Sequence, residues 1–235
     1  MEGLQAGSRG PPRTPPGSET RSVFTGIIEA CVPVRSFVGA GSGARLVVPA
    51  PEGLAEWRVG RGQSIAVAGC CLTVAELLGS DGGAVPDGTE GADMAFDLSE
   101  ETLARTWFGA LAVGRRLNLE RAMRLGDRID GHLVAGHVDG GGRLVEALDV
   151  GDGGRVFTFE VDGGLDRYLV EKGSVTIDGI SLTVVEPEGA RFRVAVIPVT
   201  LALTNFGTAE IGQRVNVEAD MIGKWIERLV LQREG

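Results

Sequence analysis

GQSIAVAGCCLTV, residues 62–74, has a second copy further along the chain, KGSVTIDGISLTV, residues 172–184. The two copies align without a gap at an offset of 110, because 181 minus 71 is 110, and this alignment places Cys71 opposite Ser181. In each copy a short apolar run, a glycine turn and a second apolar run follow one another, as in two short strands joined by a tight turn. The stretch therefore predicts a β-structure that the chain contains twice.

Two further pairs of segments show the same duplication. FTGII at 24–28 matches VAGHV at 134–138, again at an offset of 110. ETLARTWFGALAVGRRLNLE at 101–120 matches VTLALTNFGTAEIGQRVNVE at 199–218 at an offset of 98. The second offset is shorter because the first half contains an additional Gly-rich loop at 79–93, where insertions are tolerated. Three pairs in the same order predict two homologous domains of common origin.

Within each half, apolar and polar residues alternate with the period of a β-strand. VFTFEV at 156–161 and RFRVAVI at 191–197 are examples, and each half has about six strand candidates within roughly 90 to 100 residues. Closure into a small barrel would remove the exposed strand edges. The sequence predicts an all-β fold of two tandem homologous six-stranded barrels, with a short helix that begins after Ser99 as its N-cap.

An apolar helical stripe follows the second repeat. In ADMIGKWIERLVLQREG at 219–235, four large apolar residues recur at helical spacing: Ile222, Trp225, Ile226 and Leu229. We expect this terminal helix to meet copies of itself in an oligomer. Packing on its own domain is the alternative.

Composition excludes several classes of partner. The 235 residues carry a formal net charge of -9, and no cluster of Lys and Arg offers a surface for nucleic acid. No apolar run approaches the roughly 18 to 20 residues of a membrane-spanning helix, and the N-terminus lacks the apolar core of a secretory signal. The three cysteines are odd in number and two are adjacent, which favours a reducing compartment. We therefore expect a cytoplasmic protein without nucleic-acid or membrane partners.

The first 22 residues differ from the rest of the chain. They are rich in Gly, Pro, Ser and Arg and offer little apolar surface to offset the entropy of ordering, so we expect a disordered arm at 1–22. The repeats then place an N-terminal barrel at 23–131, a C-terminal barrel at 132–220 and the helix at 221–235.

Both histidines of the chain lie in one glycine-flanked segment, GHLVAGHVDG at 131–140. Because imidazole titrates near neutral pH and can move a proton, His132 and His137 are candidates for acid–base catalysis. His132 is the stronger candidate from its place at the domain junction, and a structural role is the alternative. We expect no metal site, since no further Cys or carboxylate cluster completes one at a familiar spacing.

These motifs together resemble the riboflavin synthase family of the α-chain type. The matching stretches cover the chain from Val23 to about Leu231: FTGIIE, GCCLTV, SEETLARTWFGALAVGRRLNLERAM, GDRIDGHLVAGHVDG, KGSVTIDGISLTV, IPVTLALT and GQRVNVEADMIGKWIER. The resemblance implies two similar Greek-key barrels, a homotrimer assembled through the C-terminal helix, and active sites between the N-terminal barrel of one subunit and the C-terminal barrel of a neighbour. Since family members begin one residue before FTG, we hypothesise that the protein starts at Val23; a short targeting arm is the alternative.

The resemblance also implies an activity. The family takes two molecules of 6,7-dimethyl-8-ribityllumazine and transfers a four-carbon unit between them, which forms riboflavin and 5-amino-6-ribitylaminouracil in the final step of riboflavin biosynthesis. No cofactor is expected, because the two substrates exchange carbon between themselves. Association with lumazine synthase is a further expectation.

The duplication suits a reaction between two identical molecules in opposite roles. Two pockets of one ancestry can accept the same ring, and a few unlike side chains can polarise one ring as donor and the other as acceptor. The unlike pairs are Cys71 and Ser181, Ala68 and Asp178, Ile27 and His137, and Gln63 and Gly173.

The matched motifs imply which residues form the site. The expected catalytic groups are His132, His137, Ser181, Thr183, Cys71 and Asp220. The expected substrate contacts are Phe24, Thr25, Gly26, Ser64, Gly69, Thr73, Lys172, Asp178, Gly179, Ile197 and Thr200.

Two other functions are compatible with a barrel of this kind. One is a non-catalytic lumazine- or flavin-binding antenna protein, against which the segment GHLVAGH and Ser181 argue. The other is a flavin-dependent reductase, which would require a dinucleotide-binding αβ domain after the barrel, and the sequence shows no pattern of that kind.

Overall fold

The structure is a computed structural model that describes residues 22–51, 53–54 and 57–232. The predicted arm at 1–22 lies, apart from Ser22, outside the described residues. The described chain forms two antiparallel sheets of seven strands each, so the prediction of an all-β fold with tandem homologous domains is confirmed. No helix in this part of the chain is both long and apolar enough to cross a bilayer.

The first barrel is closed by a bent strand. Its sheet has the order β1-β7-β4-β5-β6-β3-β2, and β1 and β2 are separated in sequence by Val34 and Arg35 alone. The two ends of the order are therefore halves of one strand, and the sheet closes on itself. The strands are β1 (Ala30–Pro33), β2 (Ser36–Ala40), β3 (Gly43–Pro49), β4 (Ser64–Val67), β5 (Cys70–Leu78), β6 (Asp93–Leu98) and β7 (Arg116–Arg121).

The second barrel closes in the same way, but a different strand is interrupted. Its order is β11-β10-β14-β8-β9-β13-β12, and Val184 alone separates β11 from β12. Counting the interrupted strand once gives six strands per barrel, as predicted. The interruption lies where this strand stops pairing with one neighbouring strand and begins to pair with another. The strands are β8 (Gly140–Asp149), β9 (Arg155–Val161), β10 (Ser174–Ile177), β11 (Ile180–Thr183), β12 (Val185–Glu188), β13 (Arg191–Val196) and β14 (Arg214–Ala219).

Residues 22–51, 53–54 and 57–232 contain three α-helices, which lie outside the barrels. The predicted N-cap is confirmed for α1 (Glu100–Arg105), since Ser99 Oγ accepts a hydrogen bond from Thr102 N at 3.1 Å. Its counterpart α2 (Pro198–Leu203) occupies the equivalent place in the second half. The third helix, α3 (Met221–Leu231), begins after Asp220 and leaves its apolar stripe exposed, with 67% of Trp225 accessible. Short 3-10 turns lie at Trp107–Ala110, Asp166–Tyr168 and Asn205–Thr208.

Each barrel has its own apolar core, and the two barrels are in direct contact. The turn between β4 and β5 touches the turn between β10 and β11, so closely that a Cβ at Gly69 would lie 2.6 Å from Gly179 N. Both glycines have positive φ, +78° and +82°. Phe24 and Val134, which the repeat aligns with each other, pair through two backbone hydrogen bonds of 2.8 and 3.0 Å at the centre of this contact. The fold is thus a pseudo-twofold pair of barrels.

Candidate functional site

Two short equivalent segments cross the contact between the barrels. Gly26 O, from the first half, accepts a hydrogen bond of 2.8 Å from Ser181 N on β11. Gly136 O, from the second half, accepts one of 2.8 Å from Cys71 N on β5. The repeat offset of 110 relates both donors and both acceptors, so each half contributes a segment to the strand of the other half. Cys71 and Ser181 therefore lie at matching places in the two barrels.

His132 and Ser181 form a hydrogen-bonded pair. His132 Nδ1 lies 2.7 Å from Ser181 Oγ, and His132 N donates to Thr25 O at 3.1 Å. Burial lowers the pKa of His132 below its usual value, and the nearby Asp220 carboxylate opposes this shift. The ring is therefore neutral at pH 7, in the state that can accept a proton.

Cys71 occupies the matching place in the first barrel with different chemistry. Burial raises the pKa of its thiol, while hydrogen bonds with Ser64 and Ser22 oppose that shift. The thiol is therefore protonated at neutral pH and is a poor nucleophile. The neighbouring Cys70 faces the core, where burial raises its pKa to about 12.

Two buried carboxylates hold the crossing segments, and we did not select them from the sequence. Glu120 on β7 accepts hydrogen bonds from Thr25 and Gly26, and Glu218 on β14 accepts one from Ala135 N. Only 4% of Glu120 and 3% of Glu218 is accessible. The signal was present in the repeat, where the alignment of RLNLE with RVNVE puts an acid at the same place in two apolar strands.

An open cavity of about 850 Å³ lies beside the first crossing segment. Thr25, Ser64 and Glu120 line it together with Ile27, and arginines contribute to its wall: Arg58, Arg121, Arg124 and Arg128. Its size lies within the usual range for small-molecule sites. The repeat offsets place Ala135, Ser174, Glu218 and His137 at the corresponding positions of the second barrel.

Asp178 lies between the barrels and not on the wall of this cavity. Its Oδ1 accepts hydrogen bonds from Trp107 Nε1 at 2.9 Å and Asn216 N at 2.8 Å, and its Oδ2 accepts one from Asn205 Nδ2 at 2.8 Å. Burial raises the pKa of this fully buried carboxyl, and the three donors oppose the shift. Ala68, at the matching position, has no side chain to form such bonds.

Three other predicted substrate contacts also lie at the contact between the barrels. Phe24 is fully buried against Ala66 and Val134, and Gly69 and Gly179 form the touching turns. In this arrangement these residues, like Asp178, would affect a bound ligand indirectly, because they position the strands that carry Cys71 and Ser181. Direct contact with substrate stays a prediction for them.

The remaining predicted residues lie around the second barrel or at matching places in the first. Asp220 caps α3 through a 3.0 Å hydrogen bond from Ile222 N and lies close enough to act on His132. Thr73 and Thr183 are exposed at equivalent strand positions, opposite Ser64 and Ser174. Three more are accessible: His137 at the end of its crossing segment, Lys172 with φ of +63°, and Ile197 with 59% exposure. Thr200 is half-buried in α2, where its carbonyl accepts hydrogen bonds from Thr204.

The geometry thus brings together His132, Ser181, Thr25 and Gly26, with Asp220 close by. This cluster contains a neutral imidazole in contact with a hydroxyl, which can take up a proton and pass it on. The first barrel has an open cavity whose wall includes Thr25, Ser64 and Glu120. The described residues offer no group of three or more His, Cys, Asp or Glu side chains that could hold a metal ion.

The lumazine binding domain family matches the chain twice, at residues 25–122 and 135–220. The two matches correspond to the two barrels. They bear out the duplication that the sequence predicts.

Several curated relatives are similar over most of the chain. Riboflavin synthase of Mycobacterium tuberculosis (strain ATCC 25618 / H37Rv) is 43% identical over 212 residues, which cover 88% of this chain and 98% of that protein. Riboflavin synthase of Escherichia coli (strain K12) is 36% identical over 217 residues, which cover 90% of this chain and 95% of that protein.

Among solved structures, LumP complexed with riboflavin superposes with a TM-score of 0.73 at 22% identity, covering 84% of this chain and 99% of that chain. LumP complexed with 6,7-dimethyl-8-(1'-D-ribityl) lumazine gives a TM-score of 0.70, also at 22% identity, and covers 83% of this chain and 98% of that chain. At this identity the likeness shows the fold alone. The two domain matches, together with relatives at 36% and 43% identity along almost 90% of the sequence, show that the chain belongs to the riboflavin synthase family.

Proposed function

We propose that the protein converts two molecules of 6,7-dimethyl-8-ribityllumazine into riboflavin and 5-amino-6-ribitylaminouracil by transferring a four-carbon unit between them. The observation that carries this proposal is the unequal pair of equivalent positions, with the His132–Ser181 pair in one barrel and the half-buried thiol of Cys71 in the other. A reaction between identical molecules needs such inequality, because one molecule must donate and the other accept.

His132 acts as the proton acceptor in this proposal. The methyl group on the lumazine ring is acidic, and a neutral imidazole can take one of its protons. Ser181 Oγ, at 2.7 Å from Nδ1, orients the ring of His132 and can relay the proton. The anion left on the donor ring then adds to the acceptor ring. Holding the two rings together supplies much of the rate, since effective molarities are worth roughly 7 to 11 kcal/mol.

A homotrimer completes the site in this proposal. The apolar stripe of α3 supports it, because Ile222, Trp225, Ile226 and Leu229 are each more than half exposed, at 61%, 67%, 56% and 60%. The first-barrel cavity of one subunit would then face the His132–Ser181 cluster of a neighbour. Trp225→Glu places a charge in this stripe and should reduce the mass in solution from three chains to one. A trimer that survives this substitution would contradict the proposal.

Conversion of substrate tests the activity. Purified protein incubated with 6,7-dimethyl-8-ribityllumazine should produce riboflavin fluorescence and half an equivalent of the pyrimidine product. The antenna function predicts stoichiometric binding with unchanged ligand. That outcome would overturn the proposal.

Two finer proposals concern the setting of the enzyme. We place it in the cytoplasm, supported by the three free thiols of Cys31, Cys70 and Cys71. We also propose association with lumazine synthase, the enzyme that produces the lumazine substrate. Co-elution of the two proteins at micromolar concentration would support the association, and independent elution would contradict it.

A further inference from the structure

The two buried carboxylates are equivalent in the repeat but unequal in their hydrogen bonds. Glu120 accepts three: at Oε1 from Thr25 N at 2.7 Å and Thr25 Oγ1 at 2.8 Å, and at Oε2 from Gly26 N at 3.0 Å. Glu218 accepts one, at Oε1 from Ala135 N at 2.8 Å. Its buried Oε2 has no hydrogen-bond partner among the described residues. The second barrel therefore contains a carboxyl group whose bonding is incomplete.

One substitution between the halves explains one of the two missing hydrogen bonds, the one at Oε1, and the other is the bond that Gly26 N donates to Glu120 Oε2 in the first barrel. The repeat aligns Thr25 with Ala135, so the second barrel lacks the hydroxyl that donates to Glu120 in the first. Gly136 N–H lies near enough to Glu218 to lower the pKa of the carboxyl but does not complete a hydrogen bond to Oε2. A buried oxygen without a donor disfavours the charged form.

The charged and titratable groups around Glu218 come from three places. Lys224 on α3 favours the ionised carboxyl, while Asp139, which pairs with Lys224 at 2.7 Å, disfavours it. Cys70 and Cys71 face Glu218 from the first barrel and have raised pKa values. Burial is the largest influence, and it raises the pKa of Glu218 from its usual value to about 7.

Glu218 also holds a segment that the site uses. The segment Ala135–His137 donates a hydrogen bond from Ala135 N to Glu218, its Gly136 O accepts one from Cys71 N at 2.8 Å, and it ends at His137. The position of this segment therefore depends on the strength of its hydrogen bond to Glu218.

We propose that Glu218 is a positioning residue of the second barrel, and that Ala135 makes its hold on the segment Ala135–His137 depend on whether the carboxyl carries a proton. The ionised carboxylate attracts the N–H groups of Ala135 and Gly136 and fixes the segment against β5. The protonated carboxyl attracts them less, because a neutral acceptor forms a weaker hydrogen bond than a charged one. Burial also raises the pKa of Glu120, but the hydrogen bonds from Thr25 and Gly26 oppose that shift. The Thr25 hydroxyl therefore favours the ionised state, and the first segment is held more firmly.

The carboxyl carbon of Glu218 reports this titration directly in 13C NMR spectra of the intact protein labelled at glutamate. Glu218→Gln identifies the signal by removing it. We expect a midpoint near pH 7 in the parent protein. Ala135→Thr supplies the missing hydroxyl and should lower the midpoint by about one pH unit. Ala135→Val has the same shape as Thr but no donor, so it is the matched control and should leave the midpoint or raise it.

The pH profile of kcat tests the positioning role, and this second measurement alone rests on the proposed function. The acid limb of the profile should follow the NMR midpoint, move to lower pH in Ala135→Thr, and stay in place in Ala135→Val. Glu218→Gln should abolish this acid limb. The loss of kcat that protonation of His132 causes should remain, at lower pH. The proposal is overturned if Thr and Val act alike in the NMR titration, or if Glu218→Gln leaves the acid limb unchanged. A protein without turnover would contradict the function but not the NMR result.

Discussion

The two barrels are built on one pattern but carry unlike side chains at matching places. In the first, Thr25 and Gly26 satisfy the buried carboxylate of Glu120, and an open cavity of about 850 Å³ lies beside them. In the second, one oxygen of Glu218 has no hydrogen-bond partner within the described part of the chain, and the His132–Ser181 pair lies at the matching strand. A duplicated fold can therefore keep its backbone contacts and divide its chemistry through a few side chains.

The contact between the barrels is also unequal. The backbone part is symmetric, since Asn216 Nδ2 donates to Ala68 O at 2.9 Å and Asn118 Nδ2 donates to Asp178 O at 3.0 Å. The side chains differ, because Asp178 has a buried carboxylate where the first half has Ala68. Its three donors come from Trp107, Asn205 and Asn216.

The largest expected effect concerns His132, whose imidazole is hydrogen-bonded to Ser181 on the second barrel. His132→Ala should lower kcat by about 100-fold, because a general base contributes typically 10²–10⁴-fold to a rate. The loss corresponds to ~2.7 kcal/mol of activation free energy. Riboflavin formation at saturating substrate measures it, with the mass of the assembly as the check on folding. A rate within threefold of the parent would remove His132 from catalysis.

The next effect concerns stability. Asp178→Ala makes the second barrel like the first and leaves three buried donors without an acceptor, which should cost about 2 kcal/mol after the relief of burying a carboxylate. Asp178→Asn keeps one acceptor oxygen and should cost about half as much. Urea unfolding followed by tryptophan fluorescence measures both. Equal unfolding midpoints for the Ala variant and the parent would show that the network does not stabilise the contact.

The smallest effect compares the two matching strand positions. Ser181→Ala should lower kcat by about tenfold, because the partner of His132 Nδ1 is lost. Cys71→Ala should lower it by less than about threefold, because a protonated thiol contributes little as a nucleophile. Parallel assays of the two variants measure the difference. Equal losses would mean that the two positions share the chemistry instead of dividing it.

The sequence predicts the repeat, the strands and the helix caps because these depend on local patterns. It also implies His132 and Ser181, which the fold brings into contact. It does not show that Phe24 and Asp178 face the other barrel, because the offset of a repeat does not reveal which side of a strand meets a partner. It also passes over Glu120 and Glu218, whose importance depends on burial and on bonds to residues about 80 or more positions away.

Titration of the assembled protein with an unreactive lumazine analogue that keeps the ribityl chain tests the central claim most directly. If the two barrels divide the chemistry, the titration should show two binding sites per chain with unequal affinities. The heat of binding at one site should change in His132→Ala, and the heat of binding at the other should not. A single site per chain, or two sites that respond equally to that substitution, would contradict the division of chemistry between the barrels.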